Sequence, residues 1–218
     1  MGDHLELRPP REDDLTIIEK LTQDPEVTGE FAWFGWHDQL RWRRGWAENR
    51  LLGDAGGLLM VVRGDRPLGF VNWRRHQATV AGFYWEIGIA MLPEARGHGD
   101  GTQAHRLLAR YLFAHATAHR IEASTETANL AERRALEKAG FTAEGVARAI
   151  GWRDGQWRDG ITYSLLRTDP ATHPAPHPAQ HHDHGLFRPD RGCCIFEFSG
   201  FRELLLAELF YGTPVQAG

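Results

Sequence analysis

The stretch from Phe83 to Thr102 constrains this chain more than any other. An alternating apolar run, Phe83 to Met91, reads as a strand that stops at Pro93. It gives way to a loop with glycine at 97, 99 and 101, and the residues after it, from about Thr102 to Ala118, have the spacing of a helix. Glycines let backbone amides crowd together and approach an anion closely, and a helix N-terminus adds unpaired N–H groups and a favourable dipole. A pyrophosphate fits such a loop. A plain structural turn is the competing reading of the same glycines.

The flanking pattern surrounds this unit with more strands and helices. Leu5 to Arg8 alternates as a short strand, and Pro9 and Pro10 end it before a helix around Leu15 to Leu21 that Asp13 and Asp14 can cap. Phe31 to Trp46 is aromatic-rich, with Trp42 and Trp46 four apart on one face of a helix expected to run to about Leu52. Leu58 to Arg63 and Leu68 to Arg74 form a hairpin about Gly64, Asp65, Arg66 and Pro67. Arg120 to Glu126 reads as a strand, Asn129 to Ala139 as a helix closed by Gly140, and Gly145 to Arg153 with Gln156 to Leu166 as a hairpin about Asp154 and Gly155. The domain is expected to span residues 1–168. Residues 169–218 form a linker and tail, Pro- and His-rich up to His184, with a short amphipathic helix at Phe201 to Phe210.

Composition narrows the partners. Lys and Arg number 25 against 29 Asp and Glu, for a net charge of -4, so no global basic field exists to hold a nucleic acid. The longest apolar runs, such as Gly57 to Val62 and Leu204 to Ala207, fall short of the roughly 20 residues that span a bilayer. The N-terminus lacks the basic start and apolar stretch of a secretory signal, so no membrane partner and a cytoplasmic location are expected. Cys193 and Cys194 are adjacent, too tight for an ordinary disulfide and too few for a zinc site. His173, His177, His181, His182 and His184 lack regular ligand spacing, and no metal is expected.

Arg96, Gly99 and Gly101 together resemble the pyrophosphate loop of the GNAT N-acetyltransferase family, in which Gln or Arg precedes two residues, a Gly, one residue and a Gly or Ala. The loop sits too late in the chain, without a second βαβ unit after it, for a dinucleotide fold. Asn129 with the helix ending at Glu137, Lys138, Ala139, Gly140 and Phe141 is similar to a second family segment, and Arg158 to Arg167 is similar to the ending of the RimJ/RimL-type branch. The resemblance implies an α/β (α+β) fold with a mixed, strongly twisted sheet split between its fourth and fifth strands, acetyl-CoA entering the split. The fourth strand would be Phe83 to Met91. Backbone of Ile89, Ala90 and Met91 would bond the pantetheine arm. Arg96, Gly97, His98, Gly99, Asp100, Gly101 and Thr102 would hold the pyrophosphate, and Asn129 would face the cofactor near its thiol.

The chemistry so implied is direct transfer of acetyl from acetyl-CoA to a primary amine, since no suitably placed Cys or Ser nucleophile is present. The amine must be neutral. At pH 7 this costs roughly 4 to 5 kcal/mol for a lysine amine and about 1 for an α-amine. Glu86 is the candidate base, acting directly or through a water, on its resemblance in strand position to the family's catalytic glutamate. A half-exposed strand carboxylate is the alternative. Where RimJ/RimL relatives carry a serine three residues after the Asn, this chain has Glu132, read as an exposed helix carboxylate with proton donation as the alternative. The six aromatics Phe31, Trp33, Phe34, Trp36, Trp42 and Trp46 are expected mainly in core packing, and otherwise to line an acceptor pocket. Arg41, Arg43 and Arg44 are read as a solvated helix face, and Tyr111 and Tyr163 as core or edge residues. The branch likeness favours a protein N-terminal α-amine as acceptor, with aminoglycosides or other small amines as one alternative and a non-catalytic domain binding CoA or a partner as another. A homodimer stays open.

Overall fold

The computed structural model describes residues 4–170. The expected tail, with its histidines and the Phe201 to Phe210 helix, lies outside the described residues. In chain order the elements are β1 (Leu5–Arg8), α1 (Leu15–Gln23), α2 (Pro25–Thr28), α3 (Arg41–Asn49), β2 (Leu52–Gly53), β3 (Gly56–Arg63), β4 (Arg66–Gln77), β5 (Phe83–Met91), α4 (Asp100–His115), β6 (Arg120–Glu126), α5 (Leu130–Ala139), β7 (Thr142–Arg153) and β8 (Gln156–Leu166). They form one mixed sheet in the order β1-β3-β4-β5-β6-β8-β7, with β2 beside β3.

Strand alternation sorts the sheet's apolar residues onto two faces. Leu59, Val61, Val71, Trp73, Trp85 and Ile87 pack against Ala104, Leu108 and Leu112 of α4 and Leu136 and Ala139 of α5. Leu58, Met60, Val62 and Phe70 point the other way, onto Leu15, Ile18 and Leu21 of α1, Val27 of α2 and the half-buried Trp42 and Trp46 of α3. Beyond β5 that second face turns polar. Glu122 stands opposite Ser164, and Ser124 opposite Thr162. Arg120 binds both Glu122 and Glu144, and its hydrogen bonds, with one from Ser164, pull the Glu144 carboxyl down to about 2.

The seam between β5 and β6 is the feature that positions the site. The two strands run parallel and share only the pairs Trp85–Ile121 and Glu86–Glu122, after which both continue without each other. The expected split is therefore present. Among the described residues, Ile87–Met91 have β4 as their only partner strand. Antiparallel pairing satisfies one side of a strand at alternate residues, so the other side of this stretch offers backbone N–H and C=O groups to the gap.

Several boundaries differ from the sequence expectation. α4 begins at Asp100, not Thr102, because Gly99 takes φ +87 and acts as the N-cap, and it ends at His115. The β3–β4 turn is only Gly64–Asp65, with Arg63 paired to Arg66; Pro67 lies inside β4 beside the irregularity at Val61 and Val62, where a missing N–H is tolerated. The aromatic helix is short, Arg41–Asn49, and most of Phe31 to Leu40 is irregular. β7 starts earlier than expected, at Thr142, and its hairpin turns on Asp154 (φ 50) and Gly155 (φ 72), the left-handed pair of a tight two-residue turn.

Candidate active site

The glycine loop ends as an open cradle of donors. Gly97 (φ +80) and Gly99 (φ +87) occupy left-handed backbone, and a Cβ on either would meet nothing within 4 Å. The first intrahelical bond of α4 runs from Gln103 N–H to Gly99 C=O, which leaves the N–H groups of Gly99, Asp100, Gly101 and Thr102 without intrahelical acceptors. The buried Asp100 side chain turns to Arg63, 2.5 Å away, so its charge is paired where an incoming anion would otherwise meet it. His98 is exposed in the loop.

Arg96 has a different place from the one its motif position suggests. Its Nε donates to the Met91 carbonyl at 2.9 Å, and Nη2 donates to the carbonyls of Val27 (2.5 Å) and Thr28 (3.3 Å). Burial pushes the guanidinium down from its ordinary value, with Glu94 opposing. The side chain therefore ties the loop to the end of β5 and to the C-terminus of α2, and is a positioning residue for the cradle. Replacing it, Arg96→Met, should raise the acetyl-CoA KM about tenfold with a smaller change in kcat, because two or three charge-assisted bonds at the root of the loop are lost while the loop's own amides stay. Initial-rate kinetics at varied acetyl-CoA would read the split.

Glu86 lies on β5 at the last paired residue of the seam, on the face shared with α1. Its side chain is partly buried, 19% exposed. Arg74, its partner across β4–β5, donates Nε to Oε2 at 2.6 Å with Nη2 at 2.5 Å, and His76 Nε2 is 2.6 Å from the same oxygen, off hydrogen-bond alignment. His76 stacks on Tyr84 at 5.2 Å. Arg74 and His76 were not legible as site residues. Their signal was register alone, since a hairpin places residue pairs side by side once its turn is known.

On the far side of the split, Asn129 caps α5. Its Oδ1 accepts from Glu132 N–H at 3.2 Å and its Nδ2 donates to Thr125 Oγ1 at 3.0 Å, so the amide orients the helix end beside β6. Glu132 is not the exposed carboxylate expected from the sequence. It bonds Nε2 of His105, a fully buried histidine of α4, at 2.8 Å, and thereby joins α4 to α5. Tyr163 is core, fully buried, with its hydroxyl donating to Glu137 and accepting from Arg133.

The aromatic stretch divides. Trp42 packs on Phe70 at 6.0 Å and donates its indole N–H to Thr22, and Trp46 joins the same core. Trp33, Phe34 and Trp36 lie outside it. Trp33 and Phe34 line a cleft with Gly35 and with Trp152, Arg153 and Asp154 from the β7–β8 tip. Of the helix arginines, the exposed Arg43 and Arg44 pair with Glu19 and Asp38, as fits a solvated face, whereas Arg41 lies half-buried over the Trp42 ring, where burial pushes its guanidinium down. Among the described residues no group of three His, Cys, Asp or Glu side chains could hold a metal ion, and no helix is long and apolar enough to cross a membrane.

The chain is similar to known proteins in sequence and in fold. The chain is 32% identical over 123 residues to the probable N-acetyltransferase YjcK of Bacillus subtilis, covering 56% of this chain and 59% of that protein, and so spans under two thirds of it. It is 24% identical over 171 residues to the B. subtilis prophage-derived uncharacterized N-acetyltransferase YokL, covering 77% of this chain and 93% of that one. The spermidine N-acetyltransferase of Vibrio cholerae, solved with CoA and spermine, superposes with a TM-score of 0.68 at 18% identity over 77% of this chain and 98% of that one. The ribosomal L7/L12 α-N-protein acetyltransferase RimL, solved with CoA, gives 0.64 at 17% identity over 76% and 95%. At these identities the two structures establish the fold. The profile of the acetyltransferase (GNAT) domain matches residues 4–142, most of the chain, and the chain belongs to that family.

Proposed function

We propose that the chain is an acetyl-CoA-dependent N-acetyltransferase that passes acetyl directly to a primary amine. The observation that carries this reading is the continuity of the split with the glycine cradle. The unpaired edge of Ile87–Met91 leads along β5, through Pro93–Ala95, into the open N–H groups of Gly99 to Thr102. An extended amide-bearing arm ending in a pyrophosphate needs both, in that order. Ile89, Ala90 and Met91 bond the arm, Met91 with its carbonyl already shared with Arg96. Gly97 to Thr102 hold the pyrophosphate, and Asn129 and α5 border the thiol end.

At the reacting centre Glu86 draws the proton from the attacking amine, through a water if the approach is not direct. Arg74 fixes the carboxylate by holding Oε2. As the amine nitrogen bonds the thioester carbon, the carbonyl oxygen gains charge that a β5 N–H near Ile89 can bind, and the C–S bond then breaks with a proton delivered to sulfur. The solved relatives act on spermidine in one case and on a ribosomal-protein α-amine in the other. Both are primary amines, as are the protein N-terminus favoured by the branch likeness and its small-amine alternative. Calorimetric titration of the full-length protein with acetyl-CoA tests the cofactor half of the proposal. Micromolar binding supports it, and no binding removes it.

A further inference from the structure

The cleft at the β7–β8 tip, tied through Arg153 to Glu126 at the end of β6, combines exposed ring surface with carboxylate charge. It measures about 260 Å³ and is walled by Trp33, Phe34 and Trp152. Trp33 stacks edge-on with Trp36 at 5.0 Å, and Trp152 with Trp157 at 5.3 Å, so each lining tryptophan carries a second tryptophan beside it. Trp36 is 69% exposed, Trp157 63% and Trp152 55%. Single exposed apolar side chains are ordinary, but paired aromatics on two facing segments mark a binding surface.

The charge balance decides what kind of group belongs there. The buried Arg153 is outnumbered. Glu126 takes its Nε at 2.5 Å and its Nη2 at 3.0 Å, and Asp154 takes Nη1 at 2.5 Å. Hydrogen bonding to Glu126 raises the guanidinium further, and Glu30 adds a third carboxylate to its surroundings. Two carboxylates thus bond the one guanidinium, and of these Asp154, 62% exposed, stands in the cleft lining. An anion approaching Arg153 would meet carboxylates already on three of its nitrogens. A cation would meet ring faces and a surplus of negative charge.

We propose that this cleft seats a positively charged group of the acceptor, so that the acceptor is a primary amine bearing a second cation separated from it by a carbon chain. This rests on the acetyltransferase reading only in calling the occupant the acceptor. The second charge also helps the chemistry, because a neighbouring cation lowers the pKa of the amine that must lose its proton.

Two measurements test it on the full-length protein. Choline and its uncharged carbon isostere, 3,3-dimethylbutan-1-ol, are titrated against tryptophan fluorescence. Choline should bind about tenfold more tightly, and the preference should vanish in Trp152→Ala and shrink in Asp154→Asn, both at exposed side chains. Equal binding of the two, or none by either up to tens of millimolar, overturns the proposal whatever the protein catalyses. In turnover, 1,6-diaminohexane should exceed hexylamine about tenfold in kcat/KM, and Asp154→Asn should bring the ratio near one. A ratio near one in the unmodified protein overturns the proposal and leaves the acetyltransferase reading standing, whereas failure to bind acetyl-CoA removes that reading while the choline result still decides the cleft.

Discussion

Gly99→Glu should weaken acetyl-CoA binding at least about 100-fold, whereas Gly99→Ala should weaken it about threefold to tenfold. Gly99 sits at φ +87 as the N-cap of α4, where an L side chain costs about 1 to 2 kcal/mol of backbone strain. A Cβ there meets no protein atom within 4 Å, so alanine introduces the strain alone. Glutamate adds a carboxylate beside the N–H groups of Asp100, Gly101 and Thr102. It would satisfy those donors itself and repel a pyrophosphate, two penalties that together reach several kcal/mol. Isothermal calorimetry on both variants reads the difference. Equal effects of the two substitutions would mean that the cradle holds no anion.

Glu86→Gln should lower kcat/KM for the amine by about 100- to 10,000-fold at neutral pH, and the deficit should narrow as pH rises. Glutamine keeps the shape and still offers Arg74 an acceptor, so the fold at the seam stays. What is lost is a group able to take the amine's proton. At higher pH the solution does that work, and the variant's rate should climb with the neutral fraction of the amine until the amine's own pKa is passed. A pH–rate profile of both proteins is the measurement. If Glu86 serves only as the ion-pair partner of Arg74, the substitution will shift stability in urea and leave the rate at every pH nearly unchanged.

Much of this architecture was legible because local signals agreed with the global fold. β6 and β8 fall where alternation and turn residues placed them, and Gly140, at φ +102, closes α5 as a C-cap glycine should. The glycine loop was legible because Gly97 and Gly99 take left-handed backbone that only glycine adopts readily. Side-chain allegiance was not. Arg96 reads in sequence as part of the loop, yet its bonds go to Val27 and Thr28, residues 69 and 68 positions away. Glu132 reads as a surface charge on a polar helix face until α4 brings His105 beneath it. The cleft needed two segments more than 100 residues apart to meet, Trp33 with Phe34 on one and Trp152 on the other, and neither marks the encounter on its own.

With acetyl-CoA bound in the gap as proposed, the two-residue seam between β5 and β6 would also make the donor a structural component. The halves it separates are otherwise joined through α4 and α5, and a cofactor lying in the gap would bond backbone on the β5 side while bordering α5 on the other. Its binding energy then counts as folding energy. At a hundredfold excess over Kd, linkage adds about 2.7 kcal/mol, which for a domain of this size raises the melting temperature by roughly 5 to 10 °C. Acyl donors of different chain length can therefore be ranked by thermal shift before any acceptor is known.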